Sequence, residues 1–190
     1  NDFVWVIELC LLELHRKYQS VYREYSENTK RNIKKAIRNK VTVSPENITI
    51  EKIILLFRKN KGKEFPHLKK DYFRLLELLV ETGKKKNLIK ILGAFDNEKK
   101  LCAGAVFLIY KGRAIFLFSA TDEEAKKNGA MFSLLDRFIF EHAETLAILD
   151  FEGSNDANLA RFYKSFGAKE YVYLQLKKNN LPKYIQWLKH

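Results

Sequence analysis

Three apolar segments between residues 89 and 120 constrain the fold of this chain more than any other feature. The segments Ile89–Phe95, Leu101–Tyr110 and 114–120 each have the length of a typical strand. Only short polar stretches that contain Asp, Asn, Gly and Lys separate them, and this spacing predicts an antiparallel meander. A chain with this centre must build a sheet, and its remaining segments must pack against that sheet.

Helical spacing dominates on both sides of the meander. Upstream, the sequence predicts a short strand at 4–7, a helix over 12–25, a basic helix capped by Ser26 or Asn28, a strand at 41–43, a helix over 48–57, and a helix over 71–82 that Gly83 ends. Downstream, it predicts a helix over 130–145, a strand over 146–151, a helix over 155–166, a strand over 171–176 and a last helix over 182–188. This order predicts the α/β class, with a mixed, mostly antiparallel twisted sheet and helices on both faces.

Length and composition narrow the class of protein. The 190 residues predict a single domain. Hydrophobic residues make up 46% of the chain and charged residues 31%, a balance that excludes a disordered or fibrous protein. The two cysteines, Cys10 and Cys102, offer neither a disulfide framework nor a paired metal spacing, so we expect a reducing, cytoplasmic compartment. No apolar run reaches the ~18–20 residues of a membrane-spanning helix.

Positive charge is concentrated in the first third of the chain. The whole chain carries a formal charge of +12, and residues 1–70 contribute +8 of it, from 16 basic and 8 acidic residues. This asymmetry favours an anionic partner, such as a phosphorylated cofactor, RNA or an anionic envelope precursor. A basic surface that serves only solubility explains the charge equally well.

The first candidate site is the turn between the third meander strand and its helix, formed by Lys126, Lys127, Asn128, Gly129 and Ala130. Free backbone N–H groups and the helix dipole favour an anion at such a helix start. Gly129 would let a phosphate approach the backbone, and the two lysines would add positive charge. The alternative is a solvated loop with a capping asparagine.

The second candidate site follows the next strand, where Asp150 and Glu152 occupy alternate positions. Alternate positions of a strand point to the same face, and ligands of open α/β sheets commonly bind beyond the carboxyl ends of the strands. One carboxylate could take a proton from an amine while the other orients it. Alternatively, Asp150 is a structural partner and residues 153–155 form only a turn and a helix cap.

The third candidate is Tyr163, in the helix over 155–166. We expect Leu159, Phe162 and Phe166 to form the buried stripe of this helix, with Tyr163 beside the stripe and its hydroxyl toward a cleft. A phenol can donate a proton to a leaving thiolate, although a helical tyrosine most often serves packing alone. No Gly-x-Ser-x-Gly elbow, Walker loop or His-Glu-x-x-His occurs, and the four histidines are scattered, so no metal site is predicted.

In order and spacing, these segments resemble the GNAT acyltransferase superfamily. The phosphate-binding turn of that family has Arg or Gln, two residues, Gly, one residue, and Gly or Ala before a Leu-rich helix. Lys126 stands at the Arg or Gln place and Gly129 at the first Gly, whereas Met131 replaces the second. Tyr163 and Gly167 fall where the family keeps a general-acid tyrosine and the glycine that ends its helix.

A narrower likeness links the chain to FemAB-like and BioF2-like proteins. It rests on residues 25–36, 149–154 and 161–167. Fem-type peptidyltransferases have two GNAT-like halves and take an aminoacyl group from tRNA, and their corresponding helix commonly has Lys where this chain has Tyr163. The resemblance implies one GNAT-like domain over 1–190, either alone or as the C-terminal half of a longer two-lobed protein.

The GNAT resemblance implies an N-acyltransferase that moves an acyl group, with acetyl expected, from CoA to an amine acceptor. The amine would attack the acyl carbonyl directly. Backbone N–H groups near Phe118, Ser119 and Ala120 would polarise the carbonyl. The turn at residues 126–130 would hold the pyrophosphate of acetyl-CoA.

The same resemblance implies the proton transfers. Tyr163 would protonate the departing thiolate. Glu152, Asp150 or only water would accept the proton of the amine, because the strand over 114–120 offers no carboxylate.

Two other functions remain open. An aminoacyl-tRNA-dependent transferase would use the same fold and would place a basic helix face on RNA or on an anionic precursor. A non-catalytic half-domain would use that face to bind nucleic acid or a protein partner. In both, the binding residues would include Arg31, Lys34 and Lys35.

Overall fold

Within the described residues, seven strands form one mixed sheet. The computed structural model describes residues 3–64, 70–153 and 156–177. The strands are β1 (Phe3–Glu13), β2 (Thr42–Ser44), β3 (Ile89–Phe95), β4 (Leu101–Tyr110), β5 (Arg113–Thr121), β6 (Ile148–Gly153) and β7 (Lys169–Lys177). Their order is β2-β3-β4-β5-β6-β1-β7, and every neighbouring pair is antiparallel except the parallel pair β5 and β6. The predicted mixed, mostly antiparallel sheet is confirmed.

Helices cover both faces of this sheet, as predicted. They are α1 (Tyr18–Arg23), α2 (Glu27–Arg38), α3 (Ile50–Lys59), α4 (Lys70–Lys85), α5 (Glu123–Asn128), α6 (Ala130–His142) and α7 (Ala157–Lys164), with a 3-10 turn at Lys61–Glu64. Successive strand residues point to opposite faces. On β3, Leu92 belongs to a hydrophobic cluster with residues of α2, α6 and α7, whereas Ile91 belongs to a cluster with residues of α3 and α4.

The predicted meander is confirmed as β3, β4 and β5, and β5 contains one irregularity. The partner of Phe107 in β4 is Phe116, but the partner of Val106 is Phe118, so Leu117 is an extra residue in β5. A bulge of this kind bends the strand and re-aims its side chains. It lies close to the point where β5 separates from its parallel neighbour β6.

The first strand is longer than predicted, and of the helix expected over 12–25 only Tyr18–Arg23 is helical. Cys10, Leu12 and Leu14 are fully buried while the residues between them are half-buried, which is the alternation of a strand. β1 pairs with β6 on one side and with β7 on the other. A strand in the interior of a sheet is apolar over most of its length, so its sequence can be mistaken for a buried helix.

One predicted helix end is confirmed and another is wrong. Ser26 is the N-cap of α2, as predicted, and its hydroxyl accepts a hydrogen bond from the Thr29 N–H at 3.2 Å. Gly83 lies inside α4 and does not end it. A Cβ at Gly83 would lie 2.5 Å from the Ile89 side chain, so this glycine permits close packing of α4 against β3.

The elements after the meander are shifted by a few residues from their predicted bounds. Helix α6 ends at His142 because Ala143 has an extended backbone and Glu144 a left-handed one. Strand β6 begins at Ile148, and α7 begins at Ala157. The predicted last helix, 182–188, lies outside the described residues.

Candidate active site

Strands β5 and β6 separate part-way along their length. Their pairing covers residues 113–115 of β5 and residues 148–150 of β6. Strand β6 then continues beside β1, so residues 116–121 of β5 have no strand on that side among the described residues. Because alternate residues of a strand direct their N–H and C=O groups to opposite edges, half of these backbone groups face the gap.

A pocket of about 940 Å³ lies at this gap. Its wall includes residues of α3 from one face of the sheet and residues of α5, α6 and α7 from the other face. Helices of both faces border one pocket because the sheet between them is open there. The apolar lining includes Phe57, Phe116, Phe118, Met131, Phe132 and Phe162. A pocket of this size and polarity suits a small-molecule or cofactor-sized ligand.

The strand residues predicted to polarise a carbonyl all line this pocket. Phe118 and Ser119 are half-buried and Ala120 is buried, and all three follow the bulge in β5. Their pairing with β4 occupies the edge of β5 that lies away from the gap. A backbone N–H that faces the gap is a fixed donor in an apolar cavity, which is what an oxyanion hole requires.

Tyr163 of α7 lines the same pocket. The predicted stripe is wrong in one respect, because the Tyr163 ring is buried, 7% exposed, whereas Leu159 is 36% exposed. The ring stacks on Phe151 of β6 at 4.5 Å and meets Phe116 of β5 edge-on at 6.1 Å. Phe116 and Phe151 directly follow the last paired residues of their strands, so the Tyr163 ring fills the narrow end of the gap.

The hydroxyl of Tyr163 is protonated and open to a ligand. Burial raises its pKa to about 12, with smaller contributions from Cys10 and Asp156, so the phenol stays protonated at neutral pH. No described residue forms a hydrogen bond with this hydroxyl. The group can therefore bond to a ligand without breaking an internal hydrogen bond.

Asp150 is engaged inside the protein. Its side chain is buried, 1% exposed, and its Oδ2 accepts hydrogen bonds from the Arg113 guanidinium, with Nε at 3.1 Å. Its Oδ1 accepts a hydrogen bond from the Glu152 N–H at 2.8 Å. Asp150 does not line the pocket. It joins the paired ends of β5 and β6, which is the structural alternative left open by the sequence.

The backbone at Glu152 departs from the regular strand that the sequence predicted. Its φ of +60° is left-handed, which interrupts the alternation of β6. The carboxyl group is exposed, and its pKa is raised by partial burial and by the negative charge of Asp150, while Arg113 acts in the opposite direction. Glu152 is not among the residues that line the pocket. A raised pKa brings a carboxylate closer to the range of a general base at neutral pH.

The predicted phosphate-binding turn is mostly helical. Lys126 and Lys127 belong to the last turn of α5, and Gly129 links α5 to α6 with a φ of +80°. Lys126 pairs with Glu123 at 2.7 Å, and Lys127 pairs with Glu124 at 3.1 Å. Of the five residues predicted for the turn, only Lys126 lines the pocket.

The backbone of this junction is also engaged. The Gly129 N–H donates to the Ala125 carbonyl at 3.2 Å, and the Ala130 N–H donates to the Asn128 side chain at 2.9 Å. A Cβ at Gly129 would lie 2.3 Å from the carbonyl oxygen of Asn32 in α2, so this glycine permits α2 to pack against the junction. The N–H groups of Gly129 and Ala130 are therefore already engaged within the protein.

The basic residues of α2 form a separate surface. Arg31, Lys34, Lys35 and Arg38 are exposed and border a shallow groove on this helix, whose buried face carries Ile33. None of these four basic residues lines the pocket at the gap. They can contact only a ligand or partner that extends beyond that pocket.

The contribution of α3 and of the turn after it to the pocket is not evident from the sequence. Phe57, Lys59, Asn60 and Lys61 line it, and the Phe57 ring packs on Phe118 at 5.3 Å. The available signal was a basic turn after an amphipathic helix, a pattern that is equally typical of a solvated helix end. Its position beside β5 is a tertiary property that the local sequence does not contain.

Comparisons with known proteins bear on the fold. No family model matches the sequence, and no curated protein matches it significantly. FemX superposes with a TM-score of 0.67 at 13% identity, over 88% of this chain and 61% of that chain. L-PGS from Bacillus licheniformis has a TM-score of 0.59 at 11% identity, with 98% and 65% covered. A functionally unknown conserved protein from Staphylococcus epidermidis has a TM-score of 0.59 at 14% identity, with 94% and 64% covered.

The chain has a GNAT-like fold. At these identities the likeness shows the fold alone, and the chain spans less than two thirds of the length of the three structures. In the described part of this GNAT-like fold, no group of three or more His, Cys, Asp or Glu side chains is placed to hold a metal ion. No described helix combines the length and the apolar character needed to cross a bilayer.

Proposed function

We propose that this protein transfers an acyl group from a phosphate-bearing carrier to an amine, in the pocket between β5 and α7. The gap after Ile115 carries the proposal, because backbone donors of β5 and the Tyr163 side chain border one apolar cavity there. Hydrogen bonds to developing charge are stronger in such a cavity than in water.

The proposed reaction needs no covalent enzyme intermediate. The amine nitrogen attacks the acyl carbonyl carbon, so a C–N bond forms as the bond from that carbon to the sulfur or oxygen of the carrier breaks. Backbone N–H groups of residues 118–120 would stabilise the negative charge on the carbonyl oxygen. Tyr163 would give its proton to the departing thiolate or alkoxide, and Glu152 or water would accept the proton that the amine loses.

The assignment of acid and base follows from the contacts of each group. The stacking of Tyr163 on Phe151 holds its ring in place, and burial favours its protonated form. Asp150 is left out as the base because its carboxylate bonds to Arg113 and to the Glu152 N–H. Glu152 is the carboxylate of this pair that remains exposed.

Two carriers are candidates. The GNAT resemblance implies an acyl-CoA, with acetyl-CoA as the first expectation. The Fem-type resemblance implies an aminoacyl-tRNA. The engaged N–H groups of Gly129 and Ala130 favour this second carrier, because they are not free for the expected pyrophosphate contact. The exposed basic face of α2 could also bind the phosphates of a nucleic acid. Both carriers agree with the cytoplasmic location that we propose from the cysteine content.

The melting temperature of the pure protein with each carrier tests the proposal. A ligand that binds only the folded state stabilises it, by about 2.7 kcal/mol at a hundredfold excess over Kd. A rise with acetyl-CoA alone supports the first carrier. A rise with alanyl-tRNA that falls steeply with salt supports the second. No rise with either carrier would contradict the proposed function.

A further inference from the structure

We infer that the pocket takes an apolar acyl group larger than acetyl, and that the rings of Phe132 and Phe162 form the wall that contacts it. This inference rests on the proposed function, because it takes the ligand to be an acyl donor whose carbonyl lies between residues 118–120 and the Tyr163 hydroxyl. It adds the chemical class of the transferred group. That group is an aliphatic or aromatic acyl group on CoA, or an apolar amino acid on tRNA.

The first argument is the position of this wall beside the proposed reaction centre. The Phe162 ring centre lies 5.8 Å from that of Tyr163, and the Phe132 ring meets the Phe162 ring edge-on at 5.0 Å. All three residues line the pocket. A substituent on the acyl carbon, held next to the Tyr163 hydroxyl, therefore has an aromatic surface within reach.

The second argument is that this wall is preformed and only partly covered. Phe166 is fully buried, and its ring centre lies 5.4 Å from that of Phe162 and 5.8 Å from that of Phe132. Phe132 and Phe162 are nevertheless only half-buried, and because both line the pocket, part of each ring borders the cavity. An apolar group that covers this ring surface gains affinity and needs little ordering of side chains. The single methyl of an acetyl group would cover only a small part of it.

The third argument is the distribution of charge in the pocket lining. Among the described residues of the lining, the charged ones are Lys59, Lys61, Glu123 and Lys126, and all four are exposed. The described lining residues that are buried or half-buried carry no charge. A charged acyl side chain would lose its hydration in this inner part of the pocket, without an opposite charge from those residues. The lining therefore favours a neutral apolar group over a charged group of the same length.

Binding of matched acyl donors to the full chain tests this inference. Each methylene moved from water into an apolar site strengthens binding by up to about fourfold, so hexanoyl-CoA should bind at least about tenfold more tightly than acetyl-CoA. Succinyl-CoA has a carboxylate where butyryl-CoA has its terminal methyl. We expect butyryl-CoA to bind at least about tenfold more tightly than succinyl-CoA. A single tRNA charged with leucine, alanine or glutamate gives the same comparisons for the second carrier.

A variant of the wall assigns the preference to these side chains. Phe132→Ala removes part of the wall, and Phe140→Ala is the matched control, because Phe140 is an exposed phenylalanine of the same helix outside the pocket lining. The ratio of the affinities for the longer and the shorter apolar group should fall by about fivefold or more in Phe132→Ala, and by less than about twofold in the control. If Phe132→Ala does not fold, Leu159→Ala replaces it, because Leu159 lines the pocket and is already 36% exposed.

The outcomes separate this inference from the proposed function. Donors that bind equally well whatever their acyl group, or a charged group that binds as tightly as the neutral group of the same length, would overturn the inference and leave the proposed function standing. A preference for the longer group that is unchanged in the wall variant would also overturn it, because the acyl group would then lie on another surface. If no CoA or tRNA donor binds to the wild-type protein, the proposed function fails together with the inference.

Discussion

Two walls of the pocket use their polar groups in opposite ways. On the wall formed by β5, the strand loses its parallel neighbour after Ile115, and backbone groups of residues 116–121 face the cavity. At the junction between α5 and α6, whose neighbours Lys126 and Met131 line the pocket, the N–H groups of Gly129 and Ala130 donate within the protein. The first wall keeps hydrogen-bonding capacity for a ligand, whereas the second uses it to join two helices.

This difference shows that a glycine at a helix start does not by itself make an anion site. The space beside Gly129 is filled by the Asn32 carbonyl of α2, at a distance that admits no Cβ. In this chain, the glycine of the turn that resembles the GNAT phosphate turn permits α2 to pack against the junction. Whether a backbone group can bind a ligand depends on which element covers it.

The largest expected effect concerns the open wall, at Tyr163. Tyr163→Phe removes the proposed proton donor, so single-turnover acyl transfer should slow by roughly 10²–10⁴ at saturating donor. Stability should fall by about 1 kcal/mol or less, because the hydroxyl has no partner among the described residues. Hydroxylamine can serve as the amine acceptor, with the uncatalysed reaction subtracted.

The matched control for this variant is Tyr171→Phe, because Tyr171 is an exposed tyrosine of β7. Its rate should equal that of the wild type. A Tyr163→Phe rate within threefold of wild type would retire Tyr163 as the general acid and reduce its role to packing.

The next effect concerns the closed wall, at Gly129. Gly129→Ala and Gly112→Ala replace glycines with nearly the same φ, +80° and +79°. Both should lose about 1 kcal/mol from the left-handed backbone. Gly129→Ala should lose roughly 2 kcal/mol more, because its Cβ would meet Asn32, whereas the nearest atoms to a Cβ at Gly112 are 4.0 Å away. Urea denaturation measures the loss of stability in each variant. Equal losses would mean that α2 moves to admit the new Cβ, and that the junction is not closed.

A smaller effect is expected where β5 and β6 are still paired, at Asp150. Asp150→Asn weakens the buried bond to Arg113, and we expect a stability loss of about 2 kcal/mol. This is less than the cost of breaking a fully buried salt bridge, because the Arg113 side chain is 46% exposed. Turnover per folded molecule should stay within threefold of wild type. A hundredfold loss of turnover at unchanged stability would instead make Asp150 the base.

The smallest expected effect is on the acid limb of the pH–rate profile. If Glu152 accepts the proton of the amine, only its carboxylate is active, so kcat/KM should fall as the pH falls through its raised pKa. Glu152→Gln should remove this limb. Tyr163, with its pKa raised to about 12, should add no loss of activity up to about pH 10. A limb that persists unchanged in Glu152→Gln would assign the base to water or to another group.

The sequence predicted those parts of the fold that local patterns determine. The meander was predictable because apolar strands alternate with short polar turns, and the cap of α2 because Ser26 precedes a basic amphipathic helix. Strand β1 was predicted only over 4–7, since its neighbours β6 and β7 lie far along the chain. An interior strand is apolar over most of its length, so its second half resembled a buried helix. Gly83 was predicted to end α4 but lies inside it. Its packing partner Ile89 belongs to the following strand, so the local sequence does not show why a glycine is needed there.

The candidate site was predictable to the extent that the family resemblance placed its residues. That resemblance selected residues 118–120 and Tyr163, and the structure brings them to one pocket. It could not show that Asn32 covers Gly129 or that the end of α3 packs on β5, because both contacts join distant parts of the chain. Asp150 and Glu152 were expected on the same face because they occupy alternate positions of a strand. The left-handed backbone at Glu152 interrupts that alternation.

The most direct test of acyl transfer at the open wall is a crystal structure of the protein with acetyl-CoA or alanyl-tRNA, whichever binds more tightly. We predict that the acyl carbonyl oxygen lies about 2.7–3.1 Å from a backbone N–H of residues 118–120. The Tyr163 hydroxyl should lie within hydrogen-bond reach of the leaving sulfur or oxygen. An acyl group bound outside the gap between β5 and β6, or phosphates seated on the backbone at Gly129, would contradict this.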